Sequence, residues 1–317
     1  MVDQAALRPV AGMDDAFGVR ATGLRMMQRQ LAELFEAADY QEVIPPVIER
    51  PQSLASGAGR FLSEQTIIFS DPADAGQLAI RPDITPQVAR LVATRLRQVD
   101  VLRLHYSGPV VLARSDGGYG ARQQWQTGLE LFGVAGLSAD IEVLRLAAEA
   151  MGLAGFVNPT LQVGHIGLLR ALLGEARDLT DWVALLRRRS PEDLQHYLLQ
   201  EELVDEAAAV LLAMVRGEAD QLFLQERADI NADFSAVVSS LVSLRQGVES
   251  LIGSGCKIVI DGALTPRFLY HSGIIFCGYA AGKAAPVLHG GRYDTMVAAH
   301  GRDLPATGFS CDLWQWI

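Results

Sequence analysis

The side chains with the clearest potential for ligand chemistry lie in the segment 108–133. The second half of this segment alternates, which predicts a strand with Gln126, Gly128 and Glu130 on one face. A glycine between an amide and a carboxylate lets a ligand approach the backbone closely, because glycine has no Cβ. These residues leave two interpretations open: a ligand-binding face, or a half-exposed strand with a solvated polar face. The opposite face is expected to pack on a core and carries Trp125, Thr127, Leu129 and Leu131.

A second polar group precedes a predicted helix. In the segment 81–87, Thr85 is a suitable N-cap and Pro86 a suitable first helical residue. Asp83 is therefore expected just outside a helix N-terminus, where it could cap the helix or bind a ligand. The glycine-rich run 117–120 is not predicted to bind phosphate, because no helix start with Lys-Ser/Thr follows it.

The composition restricts the class of protein. The chain has 317 residues and a formal net charge of −10, which disfavours extensive contact with nucleic-acid backbones. The basic run 187–189 could equally be a solvated helix face. The three cysteines are far apart and the six histidines lack metal-ligand spacing, so we expect reduced thiols, no metal and no cofactor. No signal or membrane-spanning segment is evident, and we expect a soluble cytoplasmic protein.

The elements that must position these side chains follow from apolar periodicity. An apolar stripe predicts a helix over 20–39, and a strand interrupted by Pro45 and Pro46 follows it. Because proline has no N–H to donate, we expect this strand at a sheet edge or at a subunit junction. The alternation over 102–106 predicts a strand antiparallel to the one over 124–131.

The rest of the chain indicates an α+β architecture. A helix is predicted over 138–151, and the almost wholly helical pattern over about 161–251 predicts a helical insertion. Small residues predict a loop over 53–59. Further strands are predicted at 257–261, 268–276 and 287–294. We therefore expect an antiparallel sheet flanked by helices and interrupted by the insertion.

The order of these motifs resembles the catalytic core of class II aminoacyl-tRNA synthetases, specifically the histidyl enzyme. Residues 31–48 resemble motif 1, which forms the family's dimer interface, and residues 78–90 resemble its Leu-Arg-Pro-Glu-Gly-Thr segment. Gln126, Gly128 and Glu130 resemble the end of motif 2. Further matches are two histidine-specific signatures, Tyr270-His271-Ser272-Gly273 and Gly290-Gly291-Arg292-Tyr293-Asp294, and the start of motif 3 at Thr307-Gly308-Phe309-Ser310. The resemblance implies one class II synthetase-like core over residues 1–317 and a homodimer through the motif-1 region.

This resemblance breaks at the positions that would bind ATP. The motif-2 arginine that holds the α-phosphate falls on Leu112, with Arg114 at the acidic position that follows. The second ATP-binding arginine falls on Gln315, and an arginine of the first histidine signature falls on Pro266, with Arg267 one position out of phase. Neither leucine nor proline can replace a bidentate guanidinium clamp, so we expect adenylation to be lost. The chain also ends soon after motif 3, and we expect neither an anticodon-binding domain nor bound tRNA.

The amino-acid side of the implied site is retained. By resemblance, Gln126 and Glu130 contact the α-amino group and imidazole of histidine, and Asp83 and Thr85 contact the amino group. His271 stands where the synthetase has a tyrosine. The resemblance therefore implies no catalytic residue and a histidine-binding set of Asp83, Thr85, Gln126, Glu130, Tyr270, His271 and Tyr293.

The chain keeps the residues that would bind an amine and lacks those that would bind phosphate. This combination resembles the regulatory-subunit family of ATP phosphoribosyltransferase, a paralogue of the synthetase. The resemblance implies a non-catalytic subunit that joins short-form catalytic subunits in a hetero-octamer and activates them. It also implies feedback inhibition by histidine at the first step of histidine biosynthesis. Two alternatives stay open: a degenerate synthetase-like ligase that forms histidyl-adenylate or serves another acceptor, and an interaction module with a vestigial pocket. Pyrophosphate exchange and substitution of Gln126 and Glu130 distinguish the three.

Overall fold

The structure of the chain is a computed structural model. It describes residues 7–57, 59–115, 121–174, 177–201, 203, 205–266 and 270–317, without the side chains of residues 59–61. The glycine-rich run 117–120 and Arg267 lie outside the described residues. The chain divides into two compact units, the first made of residues 1–133, 295–304 and 310–317, and the second of residues 134–294 and 305–309.

The helices are α1 (Gly18–Glu36), α2 (Pro51–Ala55), α3 (Gly59–Glu64), α4 (Thr85–Thr94), α5 (Leu137–Leu153), α6 (Gly167–Leu173), α7 (Thr180–Arg188), α8 (Pro191–Gln200), α9 (Glu206–Arg216), α10 (Gln221–Glu226), α11 (Ala232–Ile252) and α12 (Thr295–Ala298). The strands are β1 (Gln41–Glu42), β2 (Ile48–Glu49), β3 (Ile67–Ser70), β4 (Gln77–Ile80), β5 (Leu102–Val111), β6 (Gln123–Phe132), β7 (Thr160–His165), β8 (Lys257–Ile260), β9 (Ile274–Tyr279), β10 (Leu288–Arg292) and β11 (Ala306–Asp312). A 3-10 turn, Leu313–Gln315, follows β11.

In the first unit, the strand that carries Gln126 and Glu130 is half of a long antiparallel hairpin. β5 pairs with β6 along its whole length, with Gly108 opposite Gln126 and Tyr106 opposite Gly128. β1 runs parallel to β5, and β2, β4 and β3 form a separate antiparallel sheet in that order. The hairpin predicted from the alternation is therefore confirmed.

The segment between β1 and β2 contains Pro45 and Pro46, and both short strands lie at sheet edges, as predicted. The carbonyls of this segment receive side-chain donors. Arg81 Nη1 donates to Pro45 O at 2.7 Å, and Gln87 Nε2 donates to Pro46 O at 2.8 Å. Arg81 Nε also donates to Pro109 O at 2.9 Å, and burial lowers the pKa of this guanidinium. Arg81 thus joins the proline segment to the β5 strand, because each buried carbonyl needs a donor.

Helix α1 contacts β1 and β5 through its apolar stripe. The buried residues Leu24, Met27, Leu31 and Phe35 recur at the spacing predicted from the sequence. Full burial of one such side chain stabilises a fold by about 1.5–3 kcal/mol. The helix therefore gains its stability from this packed face rather than from capping, and its N-cap residue makes no side-chain hydrogen bond.

In the second unit, the strand order is β10-β9-β7-β8. β9 is antiparallel to β10 and to β7, whereas β7 and β8 are parallel. The expectation of helix from residue 161 is wrong at its start, because Leu161 and Val163 are buried strand residues of β7. The helices begin at α6 and continue to α11, which packs on α5, α6, β7 and β8.

One smaller expectation also changes. The segment 53–59 was expected to be a loop, but α2 begins at Pro51, where proline's fixed φ favours the first helical turn. The basic run 187–189 is exposed, which agrees with a solvated helix face, although two of its arginines also bind backbone carbonyls. Arg187 donates to Pro266 O, and Arg189 donates to Met214 O at 3.0 Å.

Among the described residues, no helix has both the length and the apolar composition to cross a membrane.

We expect Gly133→Ala to be severely destabilising. Gly133 follows β6 with φ of 85°, and an added Cβ would overlap the carbonyl oxygen of Asp100. Gly217 has φ of 76° with open space around a Cβ, so Gly217→Ala is the matched control and should cost about 1 kcal/mol. Urea denaturation should show a loss for Gly133→Ala of roughly 3 kcal/mol or more. Equal losses in the two variants would contradict the overlap.

Candidate functional site

The first candidate cluster pairs Asp83 with Gln126 in the first unit. Gln126 Nε2 donates to Asp83 Oδ1 at 2.8 Å and to Ser310 Oγ at 3.1 Å. Gln126 Oε1 accepts the backbone N–H of Ile84 at 2.8 Å, and Asp83 Oδ1 accepts that of Thr85 at 2.9 Å. Asp83 therefore binds a backbone donor at the start of α4, as expected of a capping residue, and it also holds Gln126.

A second group of hydrogen bonds converges on Glu130. Thr85 Oγ1 donates to Glu130 Oε1 at 2.9 Å, and Tyr106 Oη donates to the same oxygen at 3.0 Å. Thr85 is the first residue of α4 and not its N-cap, so its hydroxyl is used for Glu130. The four residues predicted in this unit, Asp83, Thr85, Gln126 and Glu130, thus form one connected cluster.

Sequence reasoning assigned no role to Tyr106. It lies opposite Gly128 in the hairpin, which places its phenol next to Glu130. Burial raises the pKa of Tyr106 well above its usual value, and the charges of Glu130 and Asp83 raise it further. The phenol therefore stays protonated and donates. The predicted hairpin could have pointed to Tyr106, because its strand pairs with the strand of Gln126 and Glu130. Residues that face each other in a hairpin lie on the same side of the sheet.

The cluster is buried. Asp83, Thr85 and Gln126 are at most 8% exposed, and Glu130 is 1% exposed. All residues from Gln126 to Phe132 are buried, so the interpretation of a solvated polar strand face is wrong. Asp83 and Glu130 accept hydrogen bonds from neutral amide, hydroxyl and backbone groups. Two carboxylates in a buried setting favour a positively charged group, so the cluster is suited to binding an ammonium or imidazolium ion.

The positions where ATP-binding arginines were expected carry other side chains. Leu112 is 5% exposed at the end of the hairpin, and Gln315 lies exposed in the terminal 3-10 turn. Pro266, in the second unit, is buried. Arg122 lies beside Leu112, but its Nε donates to Leu112 O at 3.0 Å. Its guanidinium thus binds the backbone, and Arg114 is exposed on the segment after β5.

In the second unit, the predicted residues Tyr270, His271 and Tyr293 form an aromatic group. The rings of Tyr270 and His271 stack with centroids 4.7 Å apart, and Tyr293 meets Tyr270 edge-on at 5.8 Å. His271 and Tyr293 are buried. A Cβ on Gly291 would lie 2.5 Å from His271 Cδ2, so glycine at this position gives the imidazole its space.

Arg292 was not predicted to have a role, yet it organises this part of the second unit. Its Nε and Nη2 form two hydrogen bonds with the carboxylate of Asp140, at 3.2 and 2.8 Å, and its Nη1 donates to Asp294 Oδ1 at 3.1 Å. Ser272 Oγ donates to Asp294 Oδ2 at 3.1 Å. Burial disfavours the charged guanidinium, but the neighbouring Asp140 and Asp294 together outweigh burial and raise the pKa of Arg292. The two histidine-specific signatures are thereby joined to each other and to α5.

Comparison with known proteins places the chain in a family. A family model described as histidyl-tRNA synthetase matches residues 12–315. An ATP phosphoribosyltransferase regulatory subunit from Thiobacillus denitrificans is 34% identical over 310 residues, which cover 96% of this chain and 95% of that protein. The chain belongs to the ATP phosphoribosyltransferase regulatory subunit family. A second regulatory subunit, from Chromohalobacter salexigens, is 34% identical over 95% of this chain and 79% of that protein.

The fold of this family member matches that of a solved structure. A protein from Bacillus halodurans, described as an ATP phosphoribosyltransferase regulatory subunit/histidyl-tRNA synthetase, matches with a TM-score of 0.88. The match covers 100% of this chain and 83% of that one at 23% identity, which establishes the fold alone. The predicted class II synthetase-like α+β fold is therefore confirmed.

We expect this family member to become less stable in acid, because protonation of His165 is disfavoured in the folded state. Burial, helped by the positive charge of Arg292, lowers the pKa of His165 from 6.5 to about 4. Its Nδ1 accepts the backbone N–H of Gly167 at 2.9 Å. A lowered pKa favours the neutral ring, so its stabilising contribution is complete above pH 6.5 and falls as the pH drops towards 4. NMR titration should find this histidine neutral at pH 6.

His165→Asn is the matched variant, because asparagine keeps an acceptor for Gly167 but does not titrate. Burial also lowers the pKa of His105 and His300, so only the difference between wild type and variant isolates His165. Stability from urea denaturation should fall less steeply in the variant between pH 6.5 and 4. Parallel profiles would rule out this role.

Proposed function

We propose that the chain is a non-catalytic regulatory subunit of ATP phosphoribosyltransferase that acts in the first step of histidine biosynthesis. In this proposal it activates a short-form catalytic subunit and lets histidine inhibit the enzyme. One observation carries the proposal: the buried cluster around Asp83 and Glu130 is complete, whereas Leu112 and Gln315 stand where ATP would need arginine. Relatives named as regulatory subunits at 34% identity support the same function.

Histidine is the proposed effector because its charged groups suit the cluster. In the first unit, Asp83 and Glu130 would accept hydrogen bonds from the ammonium or imidazolium, while Thr85 and Gln126 orient the two carboxylates. Tyr270, His271 and Tyr293, the other residues of the implied histidine-binding set, form an aromatic group of the second unit. Hydrogen bonds to charged groups contribute about 1.5–3 kcal/mol each, which is enough for selective binding.

The same residues argue against catalysis on ATP. A preorganised donor to a developing charge is worth about 10²–10³ in rate, and three guanidiniums are replaced by Leu112, Gln315 and Pro266. Feedback, in contrast, requires only a coupling free energy of about 1–3 kcal/mol between the effector site and the catalytic subunit. A subunit that binds histidine without activating it chemically therefore fits these residues better than a ligase does.

The proposed assembly is a homodimer through the motif-1 region that joins catalytic subunits in a hetero-octamer. Large apolar side chains are exposed there: Ile44 at 80%, Ile48 at 47% and Val47 at 42%. An edge strand, β1, lies beside them in sequence. Exposed apolar side chains next to an unpaired edge are typical of a surface that a partner covers.

The proposed domain organisation is one synthetase-like core in which α6–α11 are an insertion. These helices lie in sequence between β7 and β8. The two strands are adjacent and parallel. The crossover between two neighbouring strands is thus occupied by the helices, as expected for an insertion.

Replacing Glu130 by glutamine should weaken feedback inhibition. Glutamine keeps an acceptor for Thr85 and Tyr106 but removes the charge, so we expect at least a tenfold rise in the histidine concentration for half inhibition. Activation of the catalytic subunit should persist. Glu192→Gln, at an exposed position of α8, is the matched control and should leave inhibition unchanged.

Calorimetric titration of the unmodified chain, with and without a short-form catalytic subunit, should show histidine binding and no ATP binding. Unchanged feedback in Glu130→Gln would favour an interaction module with a vestigial pocket. ATP–pyrophosphate exchange dependent on histidine would instead establish the ligase.

Ile44→Glu should dissociate the homodimer. The charge would be buried against a second copy of the chain, where an unpaired carboxylate is costly. Light scattering should report a dimer for wild type and a monomer for Ile44→Glu at micromolar concentration. Leu222→Glu changes an equally large side chain that is 65% exposed on α10, and this variant should remain a dimer. A dimeric Ile44→Glu protein would contradict the proposed interface.

A further inference from the structure

A cavity of about 340 Å³ lies in the first unit, between α1 and the hairpin. Arg25, Gln28 and Arg29 line it from α1, and Glu42 lines it from β1. His105 and Ser107 line it from β5. None of these residues belongs to the cluster around Asp83 and Glu130, so this cavity is a separate feature.

The α1 side of the cavity presents hydrogen-bond donors held in place by neighbours. Arg25 Nη1 donates to Gln28 Oε1 at 2.8 Å, and the Arg25 guanidinium lies 4.9 Å from the ring centroid of Trp125. Because the carboxamide oxygen of Gln28 is engaged by Arg25, its Nε2 is left as the end that can donate into the cavity. The stacking on Trp125 and the bond to Gln28 preorganise two donors.

The hairpin side adds hydroxyls and a buried imidazole. Ser107 Oγ accepts from Trp125 Nε1 at 3.0 Å and lies 2.6 Å from Thr127 Oγ1, which also lines the cavity. His105 is 2% exposed, and its buried Nε2 has no hydrogen-bond partner within the described part of the chain. A carboxylate oxygen of Glu36 is 3.8 Å from Nε2, beyond hydrogen-bond distance. A buried ring nitrogen left without a partner is costly, and a ligand that reorders this wall can relieve the cost.

We propose that this cavity binds a small carboxylate. Arg25 and Arg29 carry two positive charges and Glu42 one negative charge, so the charged lining has a small positive excess. A planar carboxylate matches the paired N–H groups of a guanidinium, with Gln28 and Ser107 as further partners. Glu42 opposes more highly charged anions, which selects a singly charged carboxylate over a phosphate dianion.

The experiment titrates the full chain with acetate at constant ionic strength and follows the ring ¹⁵N signals of His105 by NMR. We expect a saturable shift of these signals in the wild type. Arg29→Gln, at an exposed position of α1, should weaken acetate binding at least tenfold. Arg188→Gln changes an exposed arginine of α7 and should bind acetate as the wild type does.

Each outcome decides the proposal. Saturable binding of acetate that depends on Arg29 supports it. A linear, unsaturated shift overturns it, as does an equal loss in Arg29→Gln and Arg188→Gln. Tighter binding of inorganic phosphate than of acetate, measured in the same way, would overturn the assignment to a carboxylate. Because histidine feedback depends on other residues, failure here leaves the proposed function intact.

Discussion

The first unit depends on supplying hydrogen-bond donors to two buried carboxyl groups, those of Asp83 and Glu130. A buried carboxylate is stable only if donors surround it. The hairpin register supplies them, because it sets Tyr106 opposite Gly128 and brings its phenol to Glu130. The start of α4 supplies the backbone N–H of Thr85 for Asp83. The start of α4 and the hairpin are thereby coupled, because the partners of these two carboxyl groups lie on both elements.

The same physical rule accounts for the two arginines that most organise the fold. Arg81 satisfies carbonyls that the proline segment leaves without strand partners. Arg292 joins Asp140 and Asp294 in the second unit. In each case a planar guanidinium with five donors serves several acceptors at once, which lysine could not do. Both arginines are structural, and neither stands where a phosphate clamp was expected.

In the proposed function, a synthetase fold has lost its chemistry on ATP and kept the recognition of an amine. Recognition of an amine needs only static carboxylates and amides, and these are held by the core itself. Stabilising a developing charge on phosphate needs guanidiniums aimed at a reacting atom, and the chain has leucine and glutamine at those positions. In this proposal the two functions are carried by different residues, so one can be lost while the other is kept.

The sequence by itself determined the periodic features. Alternation put Gln126 and Glu130 on one face, the apolar stripe placed α1, and the motif order identified the family and the fold. Local spacing carries this information because it fixes which side chains share a face. Tertiary structure alone decided that the polar face is buried, that Tyr106 binds Glu130, that Arg292 joins Asp140, and that β7 is a strand. Each of these depends on residues far apart in the chain, whose proximity is set by strand pairing and packing and has no signature in local spacing.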